Sequence, residues 1–201
     1  MLNAPLASDA IAVSSPESFS EINVQVAGVD EADLTRFDGR YFYTARDNKV
    51  SVLAADNNVP STSLINTIIL GDSASISGLY LVADDASDKR LAMLANDYQY
   101  QWRPDEVVPW HWTNGTTTLS LYDVEQPESA SEITTVNIEG YLVDSRRIGN
   151  LLYLITRSTP TLEGFIPYPA TSEDRASNQQ AINNADINDL LPQYIDGAGA
   201  T

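Results

Sequence analysis

Several residue types are absent or scarce in this chain. It contains no cysteine, which excludes disulfide bonds, thiol catalysis and zinc–thiolate centres, and it has only 1 histidine. Lysine and arginine together number 11 against 28 acidic residues, which gives a net charge of −17. Nucleic acid is therefore not expected as a ligand, because binding a polyanion requires basic side chains that displace condensed counterions.

Long apolar runs are absent as well. No run approaches the roughly 20 residues needed to cross a bilayer, so we expect no membrane insertion. The start, MLNAPLASDA, has neither the basic region nor the apolar core of an intact signal peptide, but it is compatible with the segment that follows a removed one. Hydrophobic residues still make up 43% of the 201 residues, which predicts a folded domain with its own core.

Short runs of alternating apolar and polar residues fill most of the chain. After an aperiodic linker or arm over 1–21, they predict an all-β domain over 22–201. Arg40–Ala45 and Lys49–Ala54 flank an Asp-Asn turn and predict a hairpin. The segments DGRYFY, SGLYL and IGNLLY each predict a glycine-containing turn that opens a strand. The first two lie about 40 residues apart, which is the length of one four-stranded propeller blade.

The third of these segments lies too far along the chain for one blade, and the excess falls in an aromatic insertion over 97–116. Residues 173–192 predict a short helical segment, and no final strand is expected in the terminal GAGAT. The remaining strands predict a propeller-like partial ring of two to three four-stranded antiparallel blades. Remaining blades of a longer protein, or another copy of the chain, are then needed to cover its open faces.

Residues 29–33 read VDEAD, as does the magnesium-binding strand end of a DEAD-box helicase. That function requires a GxxxxGK[ST] phosphate loop and an alternating α/β pattern, and the sequence has neither. We therefore expect Asp30, Glu31 and Asp33 to lie between two strands and to close a turn, with Arg36 neutralising one of them. The alternative is a calcium site on these acids, with Asp38 as a further ligand; otherwise no cofactor is expected.

The insertion holds the candidate ligand-binding residues: Trp102, Trp110, His111 and Trp112. Aromatic side chains in loops stack on sugars or anchor a protein partner, so a protein or glycan ligand is expected here. The alternative is that the insertion folds back and buries its rings. No catalytic residue is predicted, because a lone histidine without a GxSxG motif forms no recognisable nucleophilic site. Arg146 and Arg147 are expected to pair with acids.

Four blocks of sequence resemble one family. NVQVAGVDEAD from Asn23, followed by Asp38-Gly39 and a tyrosine-rich strand, resembles the opening of an uncharacterised family of secreted bacterial and archaeal proteins with a C-terminal β-propeller domain. LSLYDV from Leu119 and GYLVDSRRIG from Gly140 resemble later blocks, as does LLP at 190–192. The resemblance covers residues 22–195 and implies that the chain is the N-terminal part of the family domain. It also implies export and assigns VDEAD to the scaffold, but it carries no catalytic residues.

These observations lead to one functional prediction, one enzymatic alternative and a third class, a purely structural domain within a larger envelope protein. The prediction is a secreted or periplasmic binding or interaction scaffold without catalysis of its own. The alternative is a hydrolase or lyase that acts on a glycan or peptide with carboxylates from its loops. Facing carboxylates in a cleft would favour the enzyme, whereas acids engaged within the scaffold would favour the binding function.

Overall fold

The computed structural model describes residues 29–56, 61–83, 88–97, 115–160, 162–166, 168–196 and 199–200. Its strands, in chain order, are β1 (Val29–Glu31), β2 (Thr35–Phe37), β3 (Tyr41–Arg46), β4 (Lys49–Asp56), β5 (Ser61–Ile69), β6 (Ala74–Ala83), β7 (Lys89–Asp97), β8 (Thr116–Asp123), β9 (Ser131–Glu139), β10 (Tyr141–Ile148), β11 (Leu151–Arg157), β12 (Tyr194–Asp196) and β13 (Gly199–Ala200). They form 3 sheets, and this confirms the predicted all-β, propeller-like partial ring.

The first blade is the 4-stranded sheet β2-β3-β4-β5. Successive antiparallel hairpins build it, and the predicted hairpin is present with Arg46 opposite Lys49. Asp47 in its turn has φ 53°, a left-handed conformation that Asp adopts more readily than most residues. The Asp-Asn turn signal therefore predicted this part of the fold correctly.

The second blade consists of β6-β7-β8-β9, and β12 and β13 extend its β9 edge to give a 6-stranded sheet. Tyr194 of β12 pairs with Ile138 of β9. The expectation that the chain ends without a strand was wrong, because Gly199–Ala200 pairs with β12. An unpaired sheet edge offers backbone groups that even a very short segment can satisfy, and such a segment has no sequence period of its own.

The third sheet contains 3 strands in the order β1-β10-β11. β10 and β11 form a hairpin whose turn holds Gly149 at φ 56°, as the IGNLLY segment predicts. β1 comes from the other end of the described chain and pairs with β10, with Val29 opposite Ile148. This non-local pairing brings VDEAD into the scaffold as a strand.

The three sheets stack face to face, with the second blade in the middle. Residues 91–96 of β7 are all buried, because each face of this strand meets another sheet. Leu91, Met93 and Ala95 join a core with Tyr43 and Val52 of the first blade. The alternate residues of β7, Ala92 and Leu94, join a second core with Leu142, Leu152 and Leu154 of the third sheet. Because successive side chains of a strand point to opposite faces, β7 contacts the first blade with one face and the third sheet with the other.

A helical segment follows the sheets, as predicted. Helix α1 spans Ser172–Asn184, and a short 3-10 helix spans Ile187–Leu190. Thr171 caps α1 by accepting from the Asp174 amide, while the Asp174 carboxylate accepts from the Thr171 amide. Among the described residues, no helix is long and apolar enough to cross a membrane. The predicted arm over 1–21 lies outside the described residues.

Candidate functional site

Residues 29–37 cross all three sheets in succession. β1 pairs with β10 of the third sheet, Asp33 forms a bridge with Leu79 of the second blade, and β2 pairs with β3 of the first blade. The Asp33 and Leu79 backbones exchange hydrogen bonds of 2.8 and 3.4 Å. The VDEAD stretch therefore ties the sheets together at their edge strands, and we call residues 29–37 the tie segment.

Arg36 is the central side chain of the tie segment. It is 6% exposed, and its Nε donates to the Leu79 carbonyl at 2.9 Å. Its Nη1 donates to Asp30 Oδ1 at 3.0 Å, and its Nη2 donates to the carbonyl of Glu31. The guanidinium also lies over the Tyr80 ring, 5.6 Å from the centroid. Burial of this cation is offset by several charge-assisted bonds and one cation–π contact.

The two acids of β1 face arginines. Asp30 Oδ1 lies 3.0 Å from Arg36 Nη1, and Asp30 Oδ2 lies 3.5 Å from Arg147 Nε. Glu31 Oε1 lies 3.4 Å from Arg146 Nη2. The prediction that Arg36, Arg146 and Arg147 pair with acids is confirmed.

The predicted turn role holds for only one of the three acids. Asp30 and Glu31 lie within β1, so the expectation that they sit between two strands was wrong. Asp33 does accept a bond from the Thr35 amide, at 3.4 Å. The sequence could not show that Val29–Glu31 is itself a strand, because its partner strand begins more than a hundred residues later.

The alternative calcium site draws on the same acids. Within the part of the chain that the structure describes, no group of three or more His, Asp or Glu residues is placed to hold a metal ion. Arginines contact the carboxylates of Asp30 and Glu31, which favours a structural role for them. Calcium binding by Asp30, Glu31 and Asp33 stays a hypothesis that a binding measurement can test.

Asp38, which the calcium alternative includes as a further ligand, makes structural contacts in the fold. Its side chain is fully buried, and its Oδ1 accepts from the Tyr41 amide at 2.7 Å to close the turn before β3. Its Oδ2 accepts from Lys89 Nζ at 2.8 Å, which links the first blade to the second. Burial and the Asp38 charge raise the pKa of Tyr43 far above its usual value. Sequence reasoning missed this ion pair, since nothing local connects residues 38 and 89.

The predicted ligand-binding residues Trp102, Trp110, His111 and Trp112 lie outside the described residues, so that prediction stays open. The insertion itself is anchored between two adjacent strands, because Asp97 at the end of β7 pairs with Thr116 at the start of β8. The described residues on either side of the insertion therefore lie at the same end of the second blade.

One apolar sheet face is exposed at an end of the stack. Ile148, Leu151, Tyr153 and Ile155 of the third sheet are 48%, 61%, 52% and 58% exposed. We call these four residues the open face. Within β11, the exposed residues alternate with Leu152 and Leu154, which pack toward the second blade. At the opposite end, Leu64 of the first blade is 62% exposed.

Comparisons with known proteins agree with this architecture. A family model described as "Beta propeller domain" matches residues 19–201. A search of the curated proteins finds no match, and neither does a search of the solved structures. Because the family match covers most of the chain, this chain belongs to the β-propeller domain family.

Proposed function

We propose that this chain is a non-catalytic, extracytoplasmic interaction scaffold. The observation that carries the proposal is the open face. Alternating residues of β11 place three large apolar side chains on one side of the hairpin, each more than half exposed: Leu151, Tyr153 and Ile155. A contiguous exposed apolar patch of this kind is typical of a surface that another protein element covers.

A blade of the same kind fits the open face. The first and second blades already meet through alternating apolar side chains, and the third sheet meets the second blade in the same way. The open face continues this stacking pattern outward. Remaining propeller sequence or a second copy of the chain would supply the covering blade, while the aromatic insertion supplies a contact surface for a protein or glycan ligand.

The acids that pair with basic side chains support a scaffold rather than the alternative hydrolase or lyase. Glycosidases hold two carboxylates about 5–9.5 Å apart across an open cleft. Asp30 and Glu31 instead contact arginines in the tie segment, and Asp38 is buried against Lys89. The extracytoplasmic location belongs to the proposal and is supported by the family resemblance of the sequence.

Light scattering and dye binding test the proposal. The purified chain is expected either to self-associate or, as a monomer, to bind an apolar dye at the open face. Leu151→Glu with Ile155→Glu should abolish whichever behaviour is seen. Ile182→Glu with Ile187→Glu is the matched control, because these apolar residues are exposed at 52% and 69% but lie outside the sheets.

Two results would contradict the proposed function. A monomer that binds no dye would show that the open face is not an interaction surface. Hydrolysis of a glycan or peptide that is lost in Glu31→Gln would establish the enzymatic alternative.

A further inference from the structure

A cleft of about 370 Å³ lies between the second blade and the turn of the β10–β11 hairpin. Its walls are mainly apolar and include Leu119, Leu121, Val136 and Leu152. Small-molecule sites in proteins have volumes of about 300–1,000 Å³ and apolar linings with a few placed polar groups. The cleft has both properties. It lies apart from the open face, since Leu152 points to the opposite side of β11 from Leu151.

Arg147 is the placed polar group of this cleft. It lines the cleft next to its cross-strand partner Leu152. Its Nε and Nη1 are buried and form no hydrogen bond among the described residues; Asp30 Oδ2 lies 3.5 Å from Nε as an ion-pair contact only. Leaving buried donors unpaired is unfavourable, most of all for a charged group, so an acceptor that reaches this guanidinium is favoured.

Arg147 has a more distant carboxylate partner than the arginines beside it, Arg36 and Arg146. The nearest acid, Asp30, is shared between two arginines, at 3.0 Å from Arg36 and 3.5 Å from Arg147. Among the described residues, the other ionised groups that line the cleft are Asp88 and Arg90, which neutralise each other at 2.7 Å. The long contact with Asp30 therefore leaves the Arg147 charge only partly compensated, in a chain of net charge −17. A singly charged anion balances it, whereas a dianion would meet excess repulsion from the surrounding acids.

We propose that the cleft binds a small amphipathic carboxylate, with the carboxylate on the Arg147 guanidinium and an aliphatic or aromatic body against Leu119, Leu121 and Val136. Guanidinium and carboxylate groups form strong, charge-assisted hydrogen bonds. Burial of the body against the apolar walls supplies the remaining affinity. Such a site is independent of the proposed interaction at the open face.

Calorimetric titration with octanoate, octylammonium and 1-octanol tests this site in the full chain. Octanoate is expected to bind saturably, and the other two probes about tenfold or more weakly, because they lose the charge-assisted bond. Arg147→Gln should weaken octanoate binding by about tenfold or more. Arg146→Gln is the matched control, since Arg146 is the preceding residue of β10 and pairs with Asp144 and Glu31.

A second variant, Val136→Phe, tests octanoate binding in the cleft even if Arg147→Gln does not fold. The larger ring fills the cleft from β9 of the second blade and should abolish octanoate binding while leaving the guanidinium in place. Equal binding of octanoate and octanol, unchanged affinity in Arg147→Gln or Val136→Phe, or no saturable octanoate binding would each overturn the proposal. None of these results would alter self-association or dye binding at the open face.

Discussion

Arg36 donates a hydrogen bond from Nε to the carbonyl oxygen of Leu79, 43 residues further along the chain, at 2.9 Å. The same guanidinium bonds to Asp30 and to the Glu31 carbonyl. A single side chain therefore fixes the tie segment against the second blade, while β1 and β2 fix its ends to the other two sheets. The Arg36 guanidinium thereby helps to join the three stacked sheets into one connected unit.

Replacing Arg36 with alanine is expected to lower the free energy of unfolding by about 2–4 kcal/mol, because buried acceptors lose charged donors. Urea denaturation followed by circular dichroism measures the loss. Arg46→Ala is the control: its side chain is 91% exposed and lies 3.8 Å from Asp47, so a change below about 0.5 kcal/mol is expected. Equal, small effects for both variants would show that the tie segment does not stabilise the stack.

Gly78 lies in β6 at an irregularity in its pairing with β7. A Cβ there would lie 2.5 Å from the Ala32 Cβ of the tie segment. Gly78→Ala should therefore destabilise the protein by about 1–3 kcal/mol, and adding Ala32→Gly should recover part of that loss. Thermal unfolding of the single and double variants measures the coupling. Gly71→Ala is the control, because a Cβ at that position meets nothing within 4 Å.

Local pattern was sufficient to predict the hairpins and the number of blades. Alternation in RLAMLAN gives β7 two apolar faces, and the Asp-Asn turn fixes the β3–β4 hairpin. Gly78 shows where local pattern misleads. SGLYL resembles a turn that opens a strand, yet Gly78 lies inside β6, where close approach of Ala32 requires glycine.

The site depends on contacts that no local pattern contains. Val29 pairs with Ile148, and Asp38 pairs with Lys89, so the functions of these residues are set by which sheets become neighbours. The abundance of acids predicted that the arginines would be paired, but not that Arg36 and Arg147 would share Asp30. Sharing of one carboxylate by two cations is visible only in three dimensions.

Removing the shared carboxylate by Asp30→Ala is expected to destabilise the protein by about 1–3 kcal/mol, because two partly buried guanidinium groups lose their common partner. Asp88→Ala is the control: Asp88 pairs with Arg90 at a position about half exposed, 54%, so little change is expected. Chemical denaturation of both variants measures the difference. An Asp30→Ala chain as stable as the wild type, but unable to bind a ligand, would instead make Asp30 a binding residue.

Calcium is expected to leave the melting temperature unchanged, because arginines already contact Asp30 and Glu31. A ligand that binds only the folded state at 100 times its Kd stabilises it by about 2.7 kcal/mol, which a melting curve detects easily. Scanning calorimetry in calcium and in a chelator makes the comparison. A calcium-dependent increase that disappears in Asp33→Asn would restore the calcium site.

Tyr80 should make the protein less stable at alkaline pH. Burial raises its pKa above the usual value of about 10, and its hydroxyl lies 2.9 Å from Ser145 Oγ. Because the folded-state pKa is raised, this contribution is complete below about pH 10 and is lost as pH rises toward the folded value. Tyr80→Phe should lower the free energy of unfolding by about 1 kcal/mol at neutral pH, because the hydrogen bond is lost. The difference in unfolding free energy from the wild type should narrow above about pH 10. Urea denaturation across this range measures both effects, with Tyr153→Phe at the open face as the control. A gap that stays constant with pH would show that ionisation of Tyr80 does not contribute to alkaline unfolding.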